Sequence, residues 1–348
     1  MTKNSKLGFE EALGKLVLSK KCTGCAACIV ACPFNCLKYV EGKPEIIGEC
    51  NACGICSQAC PQYHPSRPAL EKFVFKRERK PEEEFGVYRR VVVARSTDEK
   101  ILKISQDGGV VTTLLTFALR NKRIDGAAVS ATYDDKPLHP VPTMATTAQQ
   151  ILQSAGTRYS YSPNLLAFQK GIEQNVNKLA FVGTPCQIEA IRRIQMIPLK
   201  NYIKKVKLTI GLICSGSFSY EGLVEDYIKD KLGINPSNIS KINIKAKVLI
   251  TMKSGKTKEI PLKKVRQYIR TSCRKCTDFS AELADVSVGG LRLNGWSLVI
   301  IRTETGDKLF TDAVKARLLK VKPIEEEKRS FDLLINLSKM RRTKHKSF

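Results

Sequence analysis

The 348-residue chain predicts a small α+β module scaffolded by cysteines, followed by a larger α/β domain with a mixed sheet. Three observations predict this. Eight of the thirteen cysteines fall in two copies of one spacing before residue 61. A densely charged stretch follows them. Beyond it, short β-branched runs alternate with helical periods towards the C-terminus.

The two copies are Cys22-x2-Cys25-x2-Cys28-x3-Cys32-Pro33 and Cys50-x2-Cys53-x2-Cys56-x3-Cys60-Pro61, offset by 28 residues. Cysteines at i, i+3 and i+6 wrap three corners of a 4Fe-4S cube, and the fourth reaches across to the other cluster. Cys22, Cys25, Cys28 and Cys60 are therefore expected at one cluster, and Cys50, Cys53, Cys56 and Cys32 at the other. The alternatives are a disulfide framework or zinc sites, but zinc usually takes separated pairs rather than triplets with a trailing Cys-Pro. Cys36 completes no spacing and is expected to be a non-ligand. Residues 1–66 thus read as a two-cluster ferredoxin module that moves single electrons. Leu37 to Val40 is expected to pair with Pro44 to Ile47.

Residues 67–90 include Lys76 to Glu84 and read as a solvated linker. In the large domain, 91–323, strands are expected at 91–94, 127–129, 179–182, 208–213 and 298–301. Helices are expected at 110–119, 162–175, 186–196, 219–231 and 308–318. Tighter alternation over 239–262 predicts an antiparallel hairpin. The tail, 324–348, carries an apolar stripe at Phe331, Leu334 and Ile335, then Arg341, Arg342, Lys344, His345 and Lys346. It reads as a docking helix with a frayed basic end in preference to a membrane-surface anchor.

The formal charge of +26 counts each cysteine as neutral, whereas an oxidised four-thiolate cluster carries roughly −2. Part of the excess is internal compensation; the rest suits anionic partners. Lysines are scattered rather than gathered on one recognition helix, which argues against nucleic acid. No apolar run reaches the length of a membrane span, and Met1 to Lys6 leads into no secretory signal. A cytoplasmic location is expected, with any membrane association made through a partner complex.

Four more cysteines lie in the large domain: Cys186, Cys214, Cys273 and Cys276. Cys186 follows a strand, with Pro185 at the first helical position, so the helix dipole is expected to favour thiolate. Cys214 ends a strand. Cys273-Arg274-Lys275-Cys276 offers a two-ligand chelate flanked by cations. Four is the number one cluster needs, but a redox-active disulfide, a nucleophilic Cys186, or unconnected core cysteines remain open on spacing alone.

Several segments resemble the flavin-containing beta subunit of coenzyme F-420 (deazaflavin) hydrogenases and dehydrogenases. They are Ser105-Gln106-Asp107-Gly108-Gly109-Val110-Val111-Thr112, Ser154-Ala155-Gly156-Thr157-Arg158-Tyr159 and Phe181 to Gln187. Gly211 to Cys214, Cys273 to Asp278, Ala284 to Gly289 and Gly295-Trp296-Ser297 complete the set. The resemblance implies a bound FAD and a third 4Fe-4S cluster on Cys186, Cys214, Cys273 and Cys276. The fused module looks most like the input subunit of the reduced-coenzyme dehydrogenase of an archaeal respiratory complex. It is also similar to the corresponding region of deazaflavin-dependent sulfite reductases. One departure stands out: Gly290 to Asn294 carries bulky residues where the family has small ones, which puts donor specificity in question if that loop faces the deazaflavin ring.

These implications define the expected chemistry. A reduced deazaflavin gives up two electrons as hydride while a cluster accepts one, and a flavin can mediate between them. Asp107, Gly108 and Gly109 are expected to form a tight loop before a helix, near a phosphate or flavin edge. Ser154, Gly156, Thr157, Arg158 and Tyr159 form a second cofactor segment, with Arg158 as phosphate partner. Thr184 and Trp296 are further candidates, although a lone Trp beside a strand is more often core. No general acid or base is assigned, because His64, His139 and His345 all lie outside the motifs. The expected route runs from reduced coenzyme F-420 to FAD, the core cluster, the two N-terminal clusters and then a protein acceptor, either a respiratory complex subunit or ferredoxin. Related readings are a pigment-reductase-like enzyme with another donor or acceptor, and a non-catalytic electron relay.

Overall fold

The computed structural model describes residues 7–63, 66–198, 201–244 and 247–343. In chain order the strands are β1 (Leu37–Val40), β2 (Lys43–Ile46), β3 (Arg90–Ser96), β4 (Gly126–Ala131), β5 (Val141–Ala145), β6 (Leu179–Gly183) and β7 (Val206–Leu212). They continue with β8 (Ile239–Ile244), β9 (Lys247–Met252), β10 (Thr257–Pro261), β11 (Val286–Gly289), β12 (Ser297–Ile301) and β13 (Leu319–Pro323). β1 and β2 form the antiparallel ribbon of the N-terminal module, with Leu37 opposite Ile46, so the partner strand starts one residue earlier than expected.

An eight-stranded sheet in the order β13-β3-β12-β11-β7-β6-β4-β5 forms the large domain. β4, β6, β7 and β11 run parallel, while β12 is antiparallel to both β11 and β3. The sheet is mixed, as expected. Every residue of β6 and β12 is buried, because helices and loops cover both faces. The sheet ends in β13, with exposed Lys320, and in β5, which carries Pro142; both residues discourage further pairing. The predicted strands and helices of this domain all form, with shifted ends. β5 and β13 carry too few apolar residues to be read from periodicity. The region 239–262 contains three strands, β10-β9-β8, where a hairpin was expected.

Residues 67–90 are not a solvated linker. Arg67–Phe75 forms a helix with Leu70 2% exposed, and Phe85 and Val87 are buried further on. Burying a side chain of that size contributes about 1.5–3 kcal/mol. Arg67 also reaches Glu189, Asp278 and Glu282 at 3.3, 2.9 and 3.1 Å. The charge density that suggested solvation is partly spent on ion pairs across the fold. The module's helices Ala27–Ala31 and Ile55–Ala59 share an apolar core with Ile188 and Ile191 of helix Pro185–Met196. No helix among the described residues is long and apolar enough to cross a membrane.

The C-terminal stripe docks as expected: helix Lys328–Thr343 buries Leu334 and packs Phe331 and Ile335 against the sheet face. Its end is not frayed over the described residues. Arg342 donates to Glu84 O and pairs with Glu282, while Arg341 donates to Cys273 O at 2.8 Å. Lys344, His345 and Lys346 lie outside the described residues, as do His64 and Met1 to Lys6.

Candidate functional site

Parallel strands bring separated sequence segments to one sheet edge, the crevice at their carboxyl ends. β6 delivers Thr184, Pro185 and Cys186 there; β7 delivers Cys214; β11 delivers the loop 290–295. Cys273 and Cys276 arrive on the turn beginning with helix Thr271–Arg274. Cys186, Cys214, Cys273 and Cys276 line one cleft of ≈ 450 Å³ together with Thr23, Gln62, Tyr161, Arg270 and Arg341. No two of the thirteen cysteines are joined by a disulfide in this structure. No three His, Cys, Asp or Glu side chains among the described residues close around a single ion; the thiols are spread round a cavity rather than drawn onto a point.

The helix dipole does not make Cys186 a ready thiolate. Burial pushes its thiol up to about 11 despite hydrogen bonding to Thr184, and burial pushes Cys214 up to about 12. Such thiols are poor free nucleophiles and ionise only against a compensating positive charge, as on a cluster's iron. Arg274 and Lys275 are exposed, so the cations at the cleft are not the pair expected from the Cys-x2-Cys run. Arg270 and Arg341 take that place instead.

In the module, burial raises the Cys28 thiol, reinforced by Cys25, Cys60 and Cys22 and, after these, by Cys56 of the other set; Cys60 in turn is influenced by Cys22. The three larger influences on Cys28 come from the cysteines expected to share its cluster. The second set, Cys32, Cys50, Cys53 and Cys56, lines a pocket of ≈ 300 Å³. Cys36 lines it too, with its Sγ 3.4 Å from that of Cys32. Spacing gave no sign of this proximity. The first set lies nearest the core cleft: Thr23, between Cys22 and Cys25, lines that cleft, and Cys25 lies close enough to Cys186 for their charges to interact.

The flavin candidates gather beside the same sheet edge. Gly108 N–H donates to Ser297 Oγ at 3.1 Å, seating the 105–109 loop on β12. Tyr159 accepts a hydrogen bond from Ile244 N–H at 2.9 Å, and burial pushes its hydroxyl up to about 12, with Asp107 adding to the rise. Lys241 on β8 donates to Ser105 O at 2.9 Å. The segments 105–109 and 154–159 therefore meet beneath the small sheet. There Ser105 Oγ, Gln106 Nε2 and Arg158 Nε are buried with no hydrogen-bond partner among the described residues. Orphaned polar atoms of this kind call for a polar ligand, and a guanidinium with spare donors suits the phosphates of FAD.

The remaining candidates are distributed differently. Gly156 abuts Ile104 O, Ser154 Oγ donates to Gln150 O at 2.9 Å, and Thr157 is exposed. Thr184 Oγ1 lies 3.3 Å from Cys186 Sγ, at the cysteine cleft. Trp296 packs on the Phe85–Leu298 cluster, with Arg95 and Lys322 over its ring at 5.6 and 5.0 Å. Leu293 is buried in that same cluster, so the bulk of the 290–294 loop is partly core packing. Sequence reasoning missed Arg270, Tyr161, Arg341 and Lys241. Arg270 stands three positions before Cys273 and was within reach of a motif reading; Arg341 and Lys241 carried no local signal.

The comparisons with known proteins converge on the same architecture. Residues 91–169 and 176–327 match the N-terminal and C-terminal parts of the family described as coenzyme F420 hydrogenase/dehydrogenase, beta subunit, and residues 21–79 match a 4Fe-4S dicluster domain. The coenzyme F420 hydrogenase subunit beta of Methanothermobacter thermautotrophicus is 38% identical over 263 residues, 74% of this chain and 93% of that protein. The coenzyme F420-dependent sulfite reductase of Methanocaldococcus jannaschii is 32% identical over 344 residues, 92% of this chain but 52% of that longer protein. Among solved structures, a chain of the F420-reducing [NiFe] hydrogenase complex of Methanosarcina barkeri superposes with a TM-score of 0.72 at 36% identity, covering 76% of this chain and 92% of that one. With its cysteine cleft at the carboxyl edge of a mixed sheet and a dicluster module packed against it, the chain belongs to the coenzyme F420 hydrogenase/dehydrogenase beta subunit family.

Proposed function

We propose that the protein oxidises reduced coenzyme F420 and passes electrons singly, through three 4Fe-4S clusters, to a protein acceptor. The observation that carries this reading is the convergence of Cys186, Cys214, Cys273 and Cys276 on a cleft also lined by Thr23 and Gln62 of the dicluster module. A bound FAD would supply the exchange between a two-electron donor and one-electron carriers. Arg158, Gln106 and Ser105 would hold it through their orphaned polar atoms, and Asp107, beside Tyr159, would face it from the neighbouring loop. The set Cys22, Cys25, Cys28 and Cys60 would take electrons from the core site, and Cys32, Cys50, Cys53 and Cys56 would pass them on. The acceptor is a respiratory complex subunit or ferredoxin. A sulfite-reducing partner is the second reading, favoured by the match of nearly the whole chain to about half of the longer sulfite reductase.

Anaerobic stopped-flow mixing of the reconstituted protein with reduced coenzyme F420 tests the proposal. Recovery of the oxidised deazaflavin band, with flavin bleaching ahead of the clusters, is expected. No reaction by protein carrying FAD and about twelve irons would exclude this donor.

A further inference from the structure

A side chain that no sequence motif singled out reaches from the core cleft to the module. Arg270 places its guanidinium 4.0 Å from the centre of the Tyr161 ring, and Nη1 donates to Thr23 O at 2.7 Å. Tyr161 in turn holds its hydroxyl 3.9 Å from Cys186 Sγ. On the module side, Gly24 makes room: a Cβ there would meet Arg270 Nη2 at 2.8 Å and Gly42 O at 2.5 Å, and φ is +64°. Arg270 is anchored at its base, since its N–H donates to Ser217 O and its carbonyl accepts from Cys273 N–H, both at 3.0 Å. The charge therefore lies between the Cys22–Cys25 loop and the Cys186 end of the core cleft, half-buried at a packed interface.

We propose that Arg270 is a positioning and tuning residue that sets the potentials of both neighbouring clusters and hence the one-electron step between them; this rests on the reading that both four-cysteine sites carry 4Fe-4S clusters. In each transfer one electron leaves the core site and one enters the Cys22, Cys25, Cys28 and Cys60 site. One site is oxidised as the other is reduced, and no bond or proton changes hands. Reduction adds negative charge on either side of a fixed cation in an interface that screens poorly, so Arg270 favours the reduced form of both. Arg341 provides an internal comparison. It bonds to Cys273 O and Ser215 O on the core site alone, and Cys214 lies within its electrostatic reach.

The test is a potentiometric titration of the intact reconstituted protein followed by electron paramagnetic resonance, with signals assigned through Cys186→Ala and Cys53→Ala. Arg270→Gln is expected to lower the potentials of the core cluster and the first module cluster, each by about a tenfold change in the one-electron equilibrium constant, about 59 mV. The second module cluster should not move. Arg270→Lys keeps the charge and should return most of the shift, and Arg270→Met, which also removes the charge, carries the test with the same two shifts expected should Arg270→Gln lose a cluster. Arg341→Gln should shift the core cluster alone. Unchanged potentials at full iron content, or a shift at one site only, would overturn the role of Arg270. A wild-type protein lacking either cluster by iron count would instead overturn the cluster assignment beneath it.

Discussion

Gly290 lies so close to Asp107 that a methyl group on it would fall 2.2 Å from the carboxylate Oδ2. The 290–294 loop is thus in direct contact with the 105–109 segment, at its one glycine. Gly290→Ala must push the Asp107 side chain aside. FAD retention after gel filtration is expected to fall while iron content stays at the wild-type level; unchanged flavin content would separate Asp107 from the flavin site.

Arg158 is half-buried, desolvation pulls its guanidinium below the usual range, and its buried Nε has no partner among the described residues. Such a cation is tolerated where an anion completes it. Arg158→Ala is expected to weaken FAD binding by about 10- to 100-fold, the range of one charge-assisted hydrogen bond. Titration calorimetry on the apoflavin protein checks this, and an affinity within twofold of wild type would remove Arg158 from the phosphate site.

Cys186→Ala should lower iron by about four of about twelve atoms per chain. The flavin should remain reducible by the deazaflavin while both module clusters stay oxidised on the stopped-flow time scale. Module reduction at the wild-type rate would show a route that bypasses the core cleft.

Cys36 lies beside Cys32, and burial pushes its thiol up to about 12. As a non-ligand, its replacement by Ala should leave the iron count unchanged, whereas Cys32→Ala should lose the second module cluster. Retention in Cys32→Ala but loss in the double variant would make Cys36 a substitute ligand.

Arg302 is 2% exposed and donates to Val87 O, Ser280 O and Ser287 Oγ at 2.9, 3.0 and 2.8 Å. It ties the segment before β3 to β11 and to the turn after Cys276. Arg302→Leu leaves these acceptors stranded and is expected to cost about 3–5 kcal/mol. The melting temperature should fall by roughly 10 °C, read by circular dichroism on the apoprotein; a drop under about 2 °C would mean water replaces the guanidinium.

The module is legible in the chain's local spacing, because cluster-binding cysteines recur at fixed intervals, and the mixed α/β domain is legible too, because buried strands read as short β-branched runs. The sequence placed β6, β7 and β12 to within two residues and brought Cys186, Cys214, Cys273 and Cys276 into consideration together. Tertiary structure decided what lies between those cysteines and the module. Arg270 and Thr23 are 247 residues apart and Arg341 and Cys273 are 68 apart, so no local pattern records either contact. It also decided the fate of charge: residues 67–90 looked solvated because composition does not reveal that Arg67 finds Glu189, Asp278 and Glu282 across the fold. The thiols of Cys186 and Cys214 rise for the same reason, since burial depends on what packs around a residue and not on its neighbours in the chain.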